Sequence, residues 1–176
     1  ELFRVRLRDL WCFVGTGIVS LLLFSYCYFT AMNHTSIAVA GVLLYTAPIF
    51  VMLMSLLLFR ERLTLRKLAA LLLAFSGCVL VSGVGAEGEI SWIGILLGLG
   101  SGFFYALYSI FGRFALEKYS SYTVTYYTFM CAAAASFFVV SPAETFSIIA
   151  NSSSFLLIAG LIIVSTVLPF ILYTKG

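Results

Sequence analysis

Charged residues are scarce in this sequence, and their scarcity excludes most classes of soluble protein. Only 10% of the 176 residues are charged, whereas 62% are hydrophobic and the mean hydropathy is +1.13. A soluble domain averages about 25% charged residues and could not shield this much apolar surface from water. Lipid can replace water as the solvent for such a chain, so the composition predicts an integral membrane protein.

The residue types that serve in acid–base catalysis are nearly missing. Asp9 is the sole aspartate and His34 the sole histidine, and each lies at the edge of an apolar run. No apolar run contains Asp, Glu, Lys, Arg or His away from its ends. Neither a Ser/His dyad nor a paired-aspartate site can be assembled from these positions, so we predict that the chain is not an enzyme. Charges within membrane helices are also the usual marks of proton relays and ion coupling, and these runs provide none.

The cysteine pattern gives no sign of a metal site or a disulfide framework. All four cysteines lie within apolar runs, and none belongs to a Cys-x-x-Cys motif. Small buried hydrophobic residues of membrane helices are the simpler interpretation. We therefore predict neither a metal nor another cofactor. The four are Cys12, Cys27, Cys78 and Cys131.

Long apolar runs are what the sequence has in quantity. The clearest pair is joined by residues 60–67, RERLTLRK, which carry five charges and must lie in water. Thr64 in this turn is expected to cap the helix that follows it. The hydrocarbon core takes about 20 helical residues, so the runs predict an all-α bundle of six transmembrane helices. The predicted spans are 11–32, 37–59, 66–83, 92–113, 123–141 and 154–174.

The positions of the basic residues predict the orientation of these spans. All ten Lys and Arg residues fall in alternate connections or at the two ends, and therefore on one side of the membrane. The positive-inside rule makes that side the cytoplasm, with both ends of the chain on it. Because these charges lie in loops between apolar runs, the net charge of +3 does not indicate nucleic-acid binding. The ten are Arg4, Arg6, Arg8, Arg60, Arg62, Arg66, Lys67, Arg113, Lys118 and Lys175.

Several short motifs, in their order and spacing, resemble a known transporter family. They comprise a Tyr/Phe-rich helix end, a Thr-x-Pro step, a Glu-Arg-Leu-Thr turn, a Gly-x-Val-Leu step and two later helices. Together they resemble the drug/metabolite transporter superfamily, EamA type. The segments are Tyr26–Thr30, Thr46–Pro48, Glu61–Thr64, Gly77–Leu80, Ser101–Arg113 and Leu168–Gly176.

The resemblance implies a fold and a function for the chain. Proteins of this family have ten helices in two inverted five-helix repeats, and the chain resembles helices three to eight. Residues 1–83 would end the first repeat, and residues 84–176 would begin the second. The implied function is secondary active transport of small organic metabolites such as amino acids, as export across the cytoplasmic membrane by alternating access.

Uncharged polar residues at helical spacing are the candidates for a substrate cavity. Gly41, Tyr45, Pro48 and Met52 share one face of the second predicted helix, and Pro48 should kink that helix near mid-membrane. A phenol that faces lipid lacks hydrogen-bond partners, so a mid-helix tyrosine favours a neighbouring helix or a wet cavity. The predicted substrate-binding residues are Tyr45, Ser101, Tyr105 and Tyr108, followed by Tyr26, Tyr28, Tyr173 and Pro48.

A second hypothesis arises from the glycines of the fourth predicted helix. Gly94, Gly98 and Gly102 are spaced so that a neighbouring backbone can approach closely, and helix packing is favoured over ligand contact there. A non-transporting membrane scaffold or assembly partner could use this face. The expected partners are a small-molecule substrate and the lipid bilayer, without nucleic acid, and a homodimer is left open.

Overall fold

The computed structural model describes residues 5–60, 64–82, 91–139, 160 and 162–175, and the structural statements below concern these residues. They form six helices, and no strand is present among them. The turn at 61–63, the acidic loop at 85–89 and residues 154–159 of the last predicted span lie outside the described residues. The all-α fold class predicted from the sequence is confirmed.

The helices follow the predicted spans, but the first starts four residues before its predicted bound of 11 and the fifth ends five residues before its predicted bound of 141. Three are long and apolar enough to cross a membrane: α1 (Leu7–His34), α2 (Ile37–Phe59) and α4 (Trp92–Leu116). The other three are α3 (Leu65–Ser82), α5 (Ser121–Ser136) and α6, which is formed by Ile162–Val167 and Leu168–Lys175.

Side-chain and backbone caps fix the helix ends where the sequence predicts turns. The Ser36 hydroxyl accepts a hydrogen bond from the Val39 N–H at 3.2 Å and starts α2. Thr64 accepts one from the Lys67 N–H at 3.4 Å, which confirms its predicted role as the cap of α3. Ser120 caps α5 in the same way. At the other end of α2, Arg60 adopts a left-handed conformation (φ 52°) and ends the helix.

Two helices contain wider π-helical segments. Gly15–Leu22 in α1 and Ile162–Val167 in α6 are π-helical. A π segment needs an extra residue per turn, and such segments often occur where helices must adjust their packing or function. The sequence pattern did not predict either one.

The chain divides into two compact units. The central unit comprises Val19–Phe111, and the terminal unit comprises Glu1–Ile18 with Gly112–Gly176. In the central unit, the first half of α2 packs against Leu23–His34 of α1 and against α3. In the terminal unit, α5 packs against Leu10–Val14 of α1 and against α6.

A buried acidic side chain at the start of α1 is hydrogen-bonded to the residues that precede α5 in the terminal unit. Asp9 is only 7% exposed, and its carboxylate accepts hydrogen bonds from Lys118 Nζ and from the Tyr119 hydroxyl, both at 2.7 Å. Tyr119 in turn accepts a bond from the Arg6 N–H at 3.2 Å. Asp9 precedes the first predicted span, 11–32, so we expect it to lie outside the hydrocarbon core, at the end of α1.

This cluster makes the stability of the protein depend on pH. The hydrogen bonds from Lys118 and Tyr119 lower the pKa of Asp9 below its ordinary value of 3.8. A lowered native pKa stabilises the fold above the unfolded pKa, and this contribution is lost as pH falls through the native value. We expect Asp9→Asn to lower the thermal unfolding temperature at neutral pH and to flatten its decrease below about pH 4. Thermal unfolding of the full-length protein in detergent from pH 3 to pH 7 measures both effects.

The neighbouring Glu117 provides a matched control. Glu117 is an exposed carboxylate in the same connection, so Glu117→Gln removes the same charge without touching the buried cluster. Its unfolding curve should follow that of the unmodified protein. An Asp9→Asn protein with an unchanged pH profile would contradict the stabilising role of the carboxylate.

Candidate functional site

The α2 helix is interrupted within the central unit. The helix runs from Ile37 to Leu44 and resumes from Ala47 to Phe59, with Tyr45 and Thr46 forming a turn between the halves. Pro48 occupies the first turn of the second half and cannot donate a backbone hydrogen bond to the Leu44 carbonyl. The structure therefore confirms the predicted interruption and places the break just before the proline.

Thr46 satisfies its polar groups locally at this break. Its hydroxyl donates to the Leu43 carbonyl at 2.6 Å, and its N–H donates to the same carbonyl at 3.1 Å. The side chain is buried. A buried polar group without a partner is costly, so these bonds let a non-helical turn exist within an apolar helix. Thr46 was named only as part of the Thr-x-Pro motif, and its buried position at the break was not predicted from the sequence.

The glycine face of α4 holds the broken helix. A Cβ added at Gly98 would overlap the Leu43 side chain. One at Gly102 would lie 2.6 Å from Thr46 Oγ1 and 3.1 Å from the Leu43 carbonyl oxygen. Small residues at these positions allow the α2 turn to lie directly against the α4 backbone, as predicted for helix packing. Gly94 makes a similar close approach to His34 and Thr35.

An aromatic cluster joins α1 to α4 in the central unit. The Phe24 ring lies 5.8 Å from that of Tyr28 and 5.3 Å from that of Tyr105, measured between ring centroids. Tyr28 and Tyr105 were both predicted as substrate-binding residues, and Phe24 brings them into one group. Phe24 itself was missed because it carries no polar atom, and only its position one turn before Tyr28 could have suggested it.

The other α4 candidates are buried. Ser101 donates its hydroxyl to the Gly98 carbonyl at 2.6 Å and has no exposed surface in the described structure. Tyr108 is likewise buried. Both lie on the packed side of α4, and their assignment as substrate-binding residues stays a prediction.

The α2 and α1 candidates on open faces form a different group. Tyr45 is 57% exposed and Pro48 is exposed, while a Cβ at Gly41 would meet no atom within 4 Å. The predicted shared face of α2 therefore points away from the packed helices of the central unit. Tyr26 is 59% exposed and lies on a different side of α1 from Tyr28. These positions also remain predictions.

Tyr173 belongs to the terminal unit and is described separately. It lies on α6, where it is exposed, one turn after Phe170. The Phe170 ring contacts that of Phe129 on α5, with the centroids 5.3 Å apart. Its place among the substrate-binding residues stays a prediction.

The chemistry of these side chains is neutral. The Phe24 cluster offers aromatic faces and phenol hydroxyls, and the α2 break offers backbone carbonyls beside a hydroxyl. Within the described ranges, no group of three or more His, Cys, Asp or Glu residues could hold a metal ion. Such a surface suits a small solute with apolar and hydrogen-bonding parts.

Comparison with known proteins identifies the family. Residues 2–83 and 92–176 match the EamA-like transporter family. The chain belongs to this family. The match confirms the resemblance inferred from the order of the motifs, and together with the apolar helices it supports a multi-pass membrane protein.

Relatives of this EamA-like chain carry transporter names without a stated substrate. Two proteins of Archaeoglobus fulgidus, each named an uncharacterized transporter, are 32% and 31% identical to it over 85% and 69% of the chain. The transporter YvbV of Bacillus subtilis, also named uncharacterized, is 26% identical over 63% of the chain. The chain covers 52%, 43% and 37% of these three relatives, about half of their length or less. No solved structure matches the chain.

The contact between Gly102 and the α2 break gives a stability prediction for this EamA-like chain. We expect Gly102→Ala to destabilise the protein by about 1–3 kcal/mol, because the added methyl group overpacks the site against Thr46. Thermal unfolding of the full-length protein in detergent is the measurement.

Gly41 provides the matched control on the helix that Gly102 contacts. A Cβ there meets open space, so Gly41→Ala should leave the unfolding temperature unchanged or raise it through better helix propensity. Equal effects of the two substitutions would contradict the close contact at Gly102.

Proposed function

We propose that this chain is part of a secondary active transporter that exports small organic metabolites, such as amino acids, across the cytoplasmic membrane by alternating access. The observation that carries the proposal furthest is the neutral aromatic cluster of Phe24, Tyr28 and Tyr105, found in a chain of the EamA-like transporter family. Aromatic faces and phenol hydroxyls recognise a solute by stacking and hydrogen bonding rather than by ion pairing.

The break in α2 supports a membrane-embedded binding site. Discontinuous helices are common in secondary transporters because an interrupted helix exposes backbone groups to a bound solute. Non-helical backbone at membrane depth is tolerated where protein or a wet cavity satisfies it. At this turn, Thr46 is buried within the protein, whereas the Tyr45 side chain is exposed.

The charge distribution supports the proposed orientation. The basic residues at the start of α1, between α2 and α3 and between α4 and α5 fall in alternate connections, and the positive-inside rule favours a cytoplasmic location for them. Export is the direction that the family resemblance suggests for a metabolite transporter. Uptake into inside-out vesicles, compared with right-side-out vesicles, tests it.

The scaffold hypothesis is less well supported. It requires the glycine face of α4 to be available to a partner. Gly94, Gly98 and Gly102 are instead buried against residues of the same chain.

The role of the aromatic cluster in transport is tested with the full-length protein in proteoliposomes. The assay is counterflow of a panel of labelled amino acids. For a transported solute, we expect Tyr105→Ala or Tyr28→Ala to raise KM about two- to tenfold, since a lost aromatic contact is worth about 0.5–1.5 kcal/mol. Tyr105→Phe keeps the ring and should show a smaller change unless the hydroxyl binds the solute.

Tyr126 serves as the control residue for this experiment. It is a half-exposed tyrosine of α5 in the terminal unit, and Tyr126→Ala should keep the KM of the unmodified protein. Normal transport by both Tyr105→Ala and Tyr28→Ala would contradict the role of the aromatic cluster. A protein that moves no metabolite in the panel would also count against the proposal.

A further inference from the structure

The start of α1 and the α5 helix make a continuous contact within the terminal unit. We call this contact the α1–α5 seam. It involves α1 residues from Asp9 to Gly17, and it faces α5 and the end of the connection before it. The seam has three kinds of contact in succession along α1.

The first contact is the buried carboxylate of Asp9. Its two oxygens accept one hydrogen bond each from Lys118 and Tyr119, so the start of α1 is held to the residues that precede α5. Paired and hydrogen-bonded on both oxygens, the carboxylate is well satisfied where it lies.

The second contact is an apolar and aromatic core. Phe13 is fully buried, with its ring 5.6 Å from that of Tyr119 and 5.2 Å from that of Tyr127. Cys12 and Val124 are buried in the same cluster. Trp11 adds a ring contact at 5.7 Å to Phe114 at the end of α4.

The third contact brings the two backbones together. The hydroxyls of Thr16 and Thr128 are 2.7 Å apart, and both residues are completely buried. At Gly17, a Cβ would lie 2.5 Å from the Thr128 carbonyl oxygen and 2.8 Å from Cys131 Cβ. Backbones this close pack like a domain interior.

The seam crosses the division between the two family segments. Asp9, Phe13, Thr16 and Gly17 belong to the segment 2–83, whereas their α5 partners belong to the segment 92–176. If the two repeats rocked against each other as whole bodies, this seam would have to open and close in every transport cycle.

Opening the seam is physically unfavourable. It would expose Phe13, part the Thr16 and Thr128 hydroxyls and separate the Gly17 backbone from α5 in the same movement. A contact that opens during a transport cycle is expected to be shallow and able to take up water, because packed interfaces switch between discrete arrangements rather than stretch. The fully buried side chains of the seam do not fit that description.

We infer that the first part of α1 and the α5 helix move as one rigid body during transport, so the mobile boundary of the transporter does not follow the boundary between its repeats. This inference rests on the proposed alternating-access function. It concerns which helices move together and not which solute is carried.

A reversible cross-link between Thr16 and Thr128 tests the inference. Thr16→Cys and Thr128→Cys together place two sulfur atoms where the hydroxyl oxygens are 2.7 Å apart, close enough for a disulfide after small adjustment. The full-length protein is used with its native cysteines replaced by alanine. Transport in proteoliposomes is compared between the oxidised form and the same sample reduced with dithiothreitol.

The two possible results of the cross-link are distinct. If the seam stays closed, the oxidised protein keeps at least half of the transport rate of its reduced form. A tenfold loss of rate that dithiothreitol restores would show that the seam must open, and it would overturn the inference. Each single-cysteine variant, treated with the same oxidant, controls for oxidation effects.

A distance measurement covers the case in which the double variant does not fold or does not cross-link. Arg8 and Glu117 are exposed at the end of the seam, and spin labels on Arg8→Cys and Glu117→Cys leave the buried contacts untouched. Electron–electron double resonance in nanodiscs should give one narrow distance, unchanged by a proton gradient or by added amino acids. Two distances that exchange under these conditions would overturn the inference.

The same measurement separates this inference from the proposed function. If the unmodified protein transports no amino acid, the proposed function fails, and the spin-label distance alone decides whether the seam is rigid. If the unmodified protein transports and the cross-linked protein does not, only the inference fails.

Discussion

The bilayer supplies no hydrogen-bond partners, and every polar group that enters it must find one within the protein. Three buried hydroxyls among the described residues meet that demand in the same way. Thr16, Thr46 and Ser101 each donate to a carbonyl three residues earlier in their own helix. Because a hydroxyl satisfied by its own backbone needs no partner across the interface, these small residues can lie on the most tightly packed faces.

The same demand explains where the helices deviate from regular geometry. The α2 helix breaks at Tyr45 and Thr46, just before Pro48, which has no N–H to donate to the Leu44 carbonyl. The glycines of α4 leave the space in which this turn and the Thr46 side chain lie. At the membrane edge, Asp9 is buried because Lys118 and Tyr119 satisfy it. In each case, an irregular feature occurs together with the residues that compensate for it.

Much of the fold could be predicted from the sequence because the length and polarity of a span are local properties. The bounds of α2 and the cap at Thr64 follow from the sequence pattern alone. The contacts between helices do not, since apolar residues surround each helix and hydrophobic periodicity gives no direction. The pairing of Asp9 with Lys118, more than one hundred positions away, and the role of Phe24 beside Tyr105 required the structure. The roles of the remaining tyrosines depend on which helix faces pack together.

The approach of Gly102 to Thr46 constrains how this sequence can change over time. A methyl group gained at position 102 would occupy the space that the Thr46 side chain now fills. Substitutions at the two positions are therefore expected to be correlated, with a larger residue at one accepted after a smaller one at the other. Gly41, which faces open space, carries no such dependence. Among relatives, covariation at 46 and 102 would thus record the position of the helix break, while variation at position 41 would carry no information about it.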